Sequence, residues 1–227
     1  MDQQSFPDLV NWEDSATKIK DAHDAVSRLR LYHSRQQDEL QSEEDSTRVR
    51  EEFRKRQEQV TRSQQSLQKL SDGLNELAKR LGEQQAGYEF QDWFYDLLGF
   101  SEIPHRRPYV HDGRQIDGSL TLSGTTYLVE LKFTAEQASA PDIDTFFRKV
   151  ASKADNTMGV MVSISGYSSI ARKEASGERT PILLLDHGHL YLVLGGIMGM
   201  GDVINRIRRH ASQTGEAYLS ASAFSGL

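Results

Sequence analysis

The spacing of apolar residues divides the chain into two parts with different periodicities. From Asp14 to about Gln85, apolar residues recur every seven positions, with a second apolar series between them. The first series is Phe53, Val60, Leu67, Leu74 and Leu81, and the second contains Val49, Leu70 and Leu77. This heptad pattern predicts an α-helical coiled coil at residues 1–85, because so narrow a stripe cannot enclose a globular core by itself.

The predicted helical region contains one weak stretch. An earlier apolar series with the same spacing contains Ile19, Ala22, Val26 and Leu29. Between Ser34 and Thr47 only Leu40 remains apolar, so this stretch is either a turn joining two antiparallel helices or a weak part of one rod. We expect the region to self-associate or to dock a partner helix, and a solvated helix packed on its own domain is the alternative.

From Ala86 onward, short apolar runs alternate with helical patterns. The first helix has one apolar face and is expected to end at Gly99; that face contains Phe90, Phe94, Leu97 and Leu98. The stretch Ile116–Leu122 alternates as a strand, Ser123-Gly124 indicates a tight turn, and Thr125–Phe133 is the returning strand. A β-hairpin is therefore predicted directly after the first helix of residues 86–227.

The later part of the chain continues the alternation of helices and strands. The patterns predict a helix at residues 141–155, a strand covered on both faces at 157–164 and a helix at 167–175. They also predict a buried strand at 181–186, a further element beside it at 189–194 and a last helix at 201–210. This order predicts an α/β fold, namely an α/β/α sandwich around a mixed central sheet, preceded by the coiled coil.

Three charged residues of the predicted hairpin are candidates for chemistry. Glu130 and Lys132 are two positions apart on one strand, so their side chains point to the same face. Folding of the hairpin is expected to bring Asp117 beside Glu130. Two carboxylates and an ammonium at one place are costly unless something binds between them, and a divalent cation held by oxygen ligands is the simplest explanation.

Composition narrows the possible classes of function. The net charge is −6, so any surface that attracts nucleic acid must be local. The absence of cysteine excludes disulfides and thiolate metal sites. No secretory signal is recognised at the start, and the most apolar late stretch, residues 190–200, is too short and glycine-rich to span a bilayer. We therefore expect a cytoplasmic protein without a membrane partner.

Several motifs follow one another in an order known from a nuclease family. They are Gly87-Tyr-Glu-Phe-Gln91, Ile116-Asp117-Gly118 and Glu130-Leu131-Lys132, followed by a strand, small-residue loop and helix at 159–171 and a strand with turn at 181–190. Over about residues 86–194 the chain resembles the PD-(D/E)xK nuclease superfamily, and within it the Mrr-like branch of modification-dependent restriction enzymes. The resemblance implies a restriction-endonuclease-like fold and metal-dependent phosphodiester hydrolysis.

The resemblance also implies roles for individual residues. Asp117, Glu130 and the backbone carbonyl of Leu131 are expected to hold Mg²⁺, for which Mn²⁺ can substitute, and Lys132 to orient or deprotonate the attacking water. Gln91 occupies the helix position at which the family usually has Glu. This helix motif is auxiliary in the family, so replacing its Glu by Gln is expected to weaken binding of a second metal ion more than binding of the first. The neighbouring Asp92 is a candidate to reach a metal-bound water instead.

Other polar residues are candidates for contact with the substrate. Arg148, Lys149 and Lys153 fall on or after the helix that follows the metal-binding strand, and a phosphate contact there competes with ordinary surface exposure. Ser168 lies in the loop after a buried strand, where ligands often bind. His187 and His189 lack a third ligand at suitable spacing, and no phosphate-binding loop of the P-loop type is present.

These features together predict a Mg²⁺-dependent DNA endonuclease of a restriction or anti-phage defence type. The coiled coil is expected to form a homodimer or higher oligomer, or to dock the nuclease onto a partner defence subunit. Gln91 motivates a different class, a catalytically inactive nuclease-like scaffold whose coiled coil provides the function. Cleavage of RNA is a third possibility that the fold permits.

Overall fold

The computed structural model describes residues 5–11, 13–111, 114–116, 118–177 and 181–226. The chain forms two compact units, residues 1–62 and residues 63–227. One helix, α1 (Ser15–Ala78), begins in the first unit and ends in the second. Its helical backbone is continuous through residues 34–47, so the polar stretch there is part of a helix and contains no turn. Among the described residues, no helix combines the length and the apolar character that crossing a membrane requires.

In the first unit, α1 presents apolar side chains to solvent. Phe53 is 63% exposed and Val60 is 50% exposed, and both belong to the heptad series. The aliphatic and aromatic side chains nearer the amino end are similarly exposed, namely Leu29, Leu31 and Tyr32. At the start of the helix, the ring of Phe6 packs edge-on against His23 at 5.0 Å. Among the described residues of this unit, Leu29, Phe53 and Val60 of the apolar stripe are therefore exposed.

The second unit contains the remaining helices and a mixed sheet. The helices are α2 (Gln84–Phe100), α3 (Ala140–Ala151), α4 (Ser169–Ala175), α5 (His187–Leu194) and α6 (Met200–Thr214). The strands are β1 (His105–Arg106), β2 (Tyr109–His111), β3 (Arg114–Ile116), β4 (Ser119–Leu122), β5 (Thr125–Lys132), β6 (Thr157–Ser163) and β7 (Ile182–Asp186). The main sheet has the order β1-β4-β5-β6-β7, and β2 pairs with β3 separately.

The sheet is antiparallel on one side and parallel on the other. Strands β1, β4 and β5 pair antiparallel, whereas β5, β6 and β7 pair parallel. Alternate residues of β5 point to opposite faces: Val129 packs in the cluster with α2, α5 and α6, and Leu128 packs in the cluster with α3 and α4. The structure thus confirms the predicted α/β/α sandwich around a mixed sheet.

The last turns of α1 belong to the core of the second unit. Leu74 is fully buried and Leu77 is 7% exposed, and both pack with α2 in the larger hydrophobic cluster. The indole Nε1 of Trp93 donates a hydrogen bond to the Leu70 carbonyl at 2.8 Å. Leu70, Leu74 and Leu77 of the heptad pattern therefore pack in the core of the second unit. This unit begins at Ser63, within the predicted helical region of residues 1–85.

The predicted hairpin is present, but its first strand is divided. Strands β4 and β5 pair with Ser119 opposite Leu128, and the turn residues Ser123 and Gly124 have φ values of 50° and 76°. A β-carbon at Gly118 would lie only 1.7 Å from the Tyr95 hydroxyl, so this position requires glycine. The stretch predicted as one strand therefore separates into β3 and β4 on either side of this close approach. Asp117 lies outside the described residues.

Two other elements differ from the sequence-based prediction. Helix α2 continues through Gly99 to Phe100. The apolar run after β7, for which no element type was predicted, forms helix α5. Asp186 begins this helix by accepting a hydrogen bond from the Gly188 amide at 3.0 Å, which satisfies one of the unpaired donors of the first turn.

Candidate active site

The end of β5 carries two charged residues on one face of the sheet. Glu130 and Lys132 point to the side covered by α3, and the side chain of each is 28% exposed. Leu131, between them, packs against the hydrophobic cluster on the opposite face. The strand thus places a carboxylate and an ammonium side by side at a partly open edge of the fold, as the spacing in the sequence predicted.

Lys132 is held by a carboxylate that the sequence analysis did not identify. Its Nζ lies 2.5 Å from Oδ1 of Asp142 on α3. The other oxygen of Asp142 accepts hydrogen bonds from the Ser139 amide at 2.9 Å and the Ser139 hydroxyl at 2.8 Å. Partial burial alone would raise the pKa of Asp142, but the hydrogen bonds from Lys132 and Ser139 outweigh it and lower the pKa. Asp142 is therefore a charged, fixed partner for Lys132.

Glu130 is paired with the far end of the same helix. Nζ of Lys149 lies 2.9 Å from Oε2 of Glu130, and the Lys149 side chain is 38% exposed. Asp142 and Lys149 are seven residues apart, which places them two turns apart on one face of α3. Two ion pairs therefore join β5 to α3. In one the strand provides the ammonium, and in the other it provides the carboxylate.

Helix α2 brings Gln91 toward the end of the same strand. The ring of Phe90 is buried and stacks on Phe133 at 4.7 Å, and Phe133 directly follows Lys132. Gln91 is the next residue after Phe90 and is half-buried. The packing of α2 thus determines where this amide lies relative to β5.

The acidic neighbours of Gln91 are engaged elsewhere. Asp92, which sequence reasoning offered as a substitute for the missing glutamate, pairs with Arg107 at 2.9 Å and is 70% exposed. Glu89 pairs with Arg80 at 2.7 Å, and this hydrogen bond lowers the pKa of Glu89. Both carboxylates therefore form ion pairs on the exposed side of α2.

The remaining predicted substrate contacts are spread over two elements. Nε of Arg148 donates to the Asp144 carbonyl within α3 at 3.3 Å, and Lys153 is exposed just beyond the helix. The Ser168 hydroxyl accepts from the Ala171 amide at 3.1 Å and so caps α4. Within the described part of the chain, Lys149 is the one of these four predicted residues that contacts Glu130 or Lys132.

A second buried polar cluster lies at the carboxyl end of β7. The Tyr218 hydroxyl donates to Asp186 at 2.6 Å, and Nδ1 of His189 lies 2.9 Å from the same carboxylate. His189 has no exposed surface, and its Nε2 donates to the Leu219 carbonyl at 2.7 Å. Burial would raise the pKa of Asp186, but hydrogen bonds from His189 and Tyr218 lower it well below its usual range. For Tyr218, burial and Asp186 raise the pKa to about 12.

This cluster has a structural role. It joins β7 and the start of α5 to the segment after α6. The side chains of Asp186, His189 and Tyr218 form their hydrogen bonds with other groups of the protein. His187 lies outside it, with Nδ1 3.1 Å from the Ile164 carbonyl. The two histidines are therefore engaged with different backbone carbonyls.

At the end of β5, Glu130 presents the kind of oxygen ligand that a hard divalent cation accepts. Within the described ranges, no group of three or more His, Cys, Asp or Glu side chains is placed to hold a metal ion. Glu130, however, offers carboxylate oxygens at a partly solvent-exposed position, which suits Mg²⁺ because this ion retains several waters. Asp117, the second predicted carboxylate, precedes Gly118 directly in the chain.

Comparisons with known proteins show which family the segment containing this site is similar to. The model of a restriction endonuclease family, the Mrr catalytic domain, matches residues 83–193. No curated protein matches the chain. Among solved structures, the chain is similar to the MspJI restriction endonuclease in complex with a 27-mer oligonucleotide, with 15% identity and a TM-score of 0.37. That similarity covers 70% of this chain and 39% of the other, so this chain spans less than half of that enzyme's length.

The matched segment contains every residue of the candidate site. It begins at the start of α2 and ends within α5, and so includes Gln91, Glu130, Lys132, Asp142 and Lys149. Residues 83–193 are thus similar to the Mrr catalytic domain of restriction endonucleases, the branch that the sequence motifs resemble.

Proposed function

We propose that this protein is a Mg²⁺-dependent DNA endonuclease of the restriction type that acts in defence against foreign DNA. The observation that carries the proposal is the placement of Glu130 and Lys132 on one face at the end of β5, within a domain of restriction endonuclease type. A carboxylate can bind the metal ion that activates water, and an ammonium can stabilise the negative charge that develops on the phosphate. Both roles serve phosphodiester hydrolysis.

Asp117 and Glu130 form the metal site in this proposal, with the backbone carbonyl of Leu131 as a further ligand. The Gly118 carbonyl accepts a hydrogen bond from the Val129 amide at 2.9 Å, so the pairing of the two strands extends to the residue after Asp117. When bound, Mg²⁺ lowers the pKa of a coordinated water and neutralises charge on the phosphate.

Lys132 orients the attacking water and stabilises the negative charge that develops on the phosphate oxygens. Asp142 positions this ammonium, because its carboxylate is itself fixed by Ser139 at the start of α3. Asp142 is thus a positioning residue. Gln91 supplies an uncharged amide where the family usually has a carboxylate, so the site is proposed to work with one well-held metal ion.

A plasmid cleavage assay tests the proposed activity. The full chain is incubated with supercoiled DNA and Mg²⁺ or Mn²⁺, with EDTA and the Glu130→Gln variant as controls. We expect nicked or linear products with either metal, none with EDTA, and a loss of at least about 100-fold in Glu130→Gln, because an amide binds Mg²⁺ far more weakly than a carboxylate. Products unchanged in this variant would contradict the assignment of the metal site.

The same assay separates the alternatives. A single-stranded RNA of similar length is used as a second substrate. If the protein cleaves this RNA faster than the DNA, its substrate is RNA. Gln91→Glu restores the family's carboxylate, and activity gained only in this variant would favour the inactive scaffold.

The coiled coil is proposed to pair two copies of the chain or to dock a partner defence subunit. The exposed Phe53 and Val60 support this role, because a helix alone cannot cover a stripe of large apolar side chains. Two nuclease domains held in one assembly provide two active sites, which is what cleavage of both DNA strands requires.

Charges placed on the apolar stripe are expected to dissociate a homodimer. In Phe53→Glu/Val60→Glu both changes fall on side chains that are at least half exposed, so the fold of each copy is preserved. Multi-angle light scattering is expected to show about half the mass of the wild type. A matched control, Thr61→Glu/Gln65→Glu, adds the same charge at exposed positions beside the stripe and should leave the mass unchanged. If the wild type is itself a monomer, the homodimer is ruled out and docking of a partner subunit is the role that remains.

A further inference from the structure

A groove with a volume of about 870 Å³ follows helix α6 in the second unit. It lies between this helix, the turn at Ser123 and the segment after α6. Most side chains that α6 contributes to its lining are charged or carry amide groups, among them Asn205, Arg206, Arg208, Arg209 and Gln213. Guanidinium and amide groups are donors that contact phosphate oxygens in complexes with nucleic acids, so the lining suits a phosphate backbone.

The three arginines of this groove carry positive charge without carboxylate partners. Among the described residues, no acidic side chain forms an ion pair with Arg206, Arg208 or Arg209. The Arg206 guanidinium lies over the Phe224 ring at 4.8 Å, so packing fixes this cation in the wall of the groove. Because the chain as a whole has a net charge of −6, these three cations on one helix form a local basic surface.

The groove is remote from the candidate active site. It includes Ser123, at the turn before β5, whereas Lys132 is the last residue of that strand. Strand β5 has eight residues, so its two ends are roughly 23 Å apart. Helix α6 also packs on the other face of the sheet, where Val203 is buried in the same cluster as Val129. A nucleic acid held in this groove therefore contacts the protein away from the reacting phosphate.

We infer that the groove along α6 is a second DNA-binding surface, which holds the phosphate backbone of a duplex at a distance from the point of cleavage. This inference rests on the proposed function, since it takes DNA to be the substrate. Several separate cations along one helix suit a row of phosphates better than a single small anion. Such contacts add affinity without reading the base sequence, and they give an acidic protein a local attraction for DNA.

The salt dependence of duplex binding tests the inference. The full chain is added to a fluorescent DNA duplex in EDTA, so that neither metal binding nor cleavage contributes, and anisotropy gives the affinity at several NaCl concentrations. Arg208→Gln/Arg209→Gln is expected to weaken binding by at least about tenfold, and to reduce the slope of log affinity against log salt by about 2, since two phosphate contacts are lost. The matched control Lys69→Gln/Lys79→Gln removes the same charge at exposed positions and should bind as the wild type does.

Asp202→Asn tests the same surface in the opposite direction. Asp202 is the acidic side chain among the described residues that line the groove. Its neutralisation is expected to tighten duplex binding by about two- to fivefold, because a charge that repels the phosphates is removed. Loss of folding cannot produce a gain in affinity. Arg209→Gln alone changes only an exposed side chain, and is expected to reduce the salt slope by about 1.

The outcomes distinguish the inference from the proposed function. If Arg208→Gln/Arg209→Gln binds the duplex as the wild type does while Glu130→Gln loses cleavage, the nuclease stands and the inference is overturned. If Glu130→Gln cleaves normally while the arginine variant binds more weakly, the DNA-binding surface stands and the proposed metal site fails. A wild type that binds no duplex in EDTA would also overturn the inference.

Cleavage of fully bound DNA tests whether the surface is separate from the active site. In single-turnover reactions with enough enzyme to bind all of the DNA, Arg208→Gln/Arg209→Gln is expected to cleave at the wild-type rate. A rate lowered by about 100-fold, the cost of removing a group that stabilises transition-state charge, would place these arginines at the reacting phosphate and overturn the inference.

Discussion

Replacement of Lys132 by alanine is expected to lower the rate of plasmid cleavage by at least about 100-fold, the usual cost of removing one group that stabilises transition-state charge. Its ammonium is the positive group that Asp142 fixes beside Glu130 at the end of β5. The rate is measured in single-turnover reactions with saturating Mg²⁺ and enough enzyme to bind all of the DNA, so that weaker substrate binding does not contribute. Lys79→Ala removes a lysine just beyond α1 that is 68% exposed, and this variant is expected to cleave at the wild-type rate.

Asp142→Asn extends this prediction to the residue that positions Lys132. The variant keeps a hydrogen-bonding group of the same shape but loses the charge that attracts the ammonium. A decrease of about tenfold, smaller than that of Lys132→Ala, is expected, because Lys132 remains present but is less well oriented. In Lys132→Ala/Asp142→Asn, the second change should cost nothing further, since its effect acts through the lysine. Undiminished cleavage by Lys132→Ala would remove Lys132 from the proposed mechanism.

Replacement of Asp186 by alanine is expected to lower the free energy of unfolding by about 3 kcal/mol, the scale of breaking a buried, hydrogen-bonded charge network. The change leaves the Tyr218 hydroxyl and the Gly188 amide without their acceptor. Urea unfolding monitored by circular dichroism at pH 7 gives this free energy. Asp155→Ala, at an exposed turn before β6, is expected to differ from the wild type by less than about 0.5 kcal/mol.

The stabilisation by Asp186 is expected to depend on pH in a defined direction. The folded-state pKa of Asp186 lies below that of the unfolded chain, so the carboxylate stabilises the fold above the unfolded-state value of about 3.9. This contribution is lost as the pH falls below that value toward the folded-state pKa. The difference in stability between the wild type and Asp186→Ala should thus be constant from pH 7 to 5 and shrink below about pH 4. A difference that grows on acidification would contradict the assignment.

The hairpin shows how far local sequence can predict the candidate site. Alternation in β4 and β5 and the Ser123-Gly124 turn fix the register within about ten residues, so the shared face of Glu130 and Lys132 follows without any distant contact. The break at Gly118 does not follow from this pattern. It coincides with the close approach of Tyr95, a residue of α2 that is distant in sequence.

The partners of the charged residues show where prediction from sequence ends. Ser139-Ala-Pro-Asp142 is a recognisable start of a helix, and it does form the capping box of α3. That Asp142 also binds Lys132 depends on how α3 crosses the sheet, which is set by the burial of Ile143 and Phe146. Lys149 was predicted as a phosphate contact, and its pairing with Glu130 has the same tertiary origin.

The sequence by itself determined the heptad stripe, the order of helices and strands, the hairpin and the two charged residues on one face of β5, because each depends on neighbours within a few residues. Only the tertiary structure decided that the last leucines of α1 enter the globular core, that α3 gives both charged residues their partners, and that Asp186 is buried with His189 and Tyr218. These features join segments far apart in the chain. Their geometry is set by the packing of whole elements against each other, which no local pattern of residues encodes.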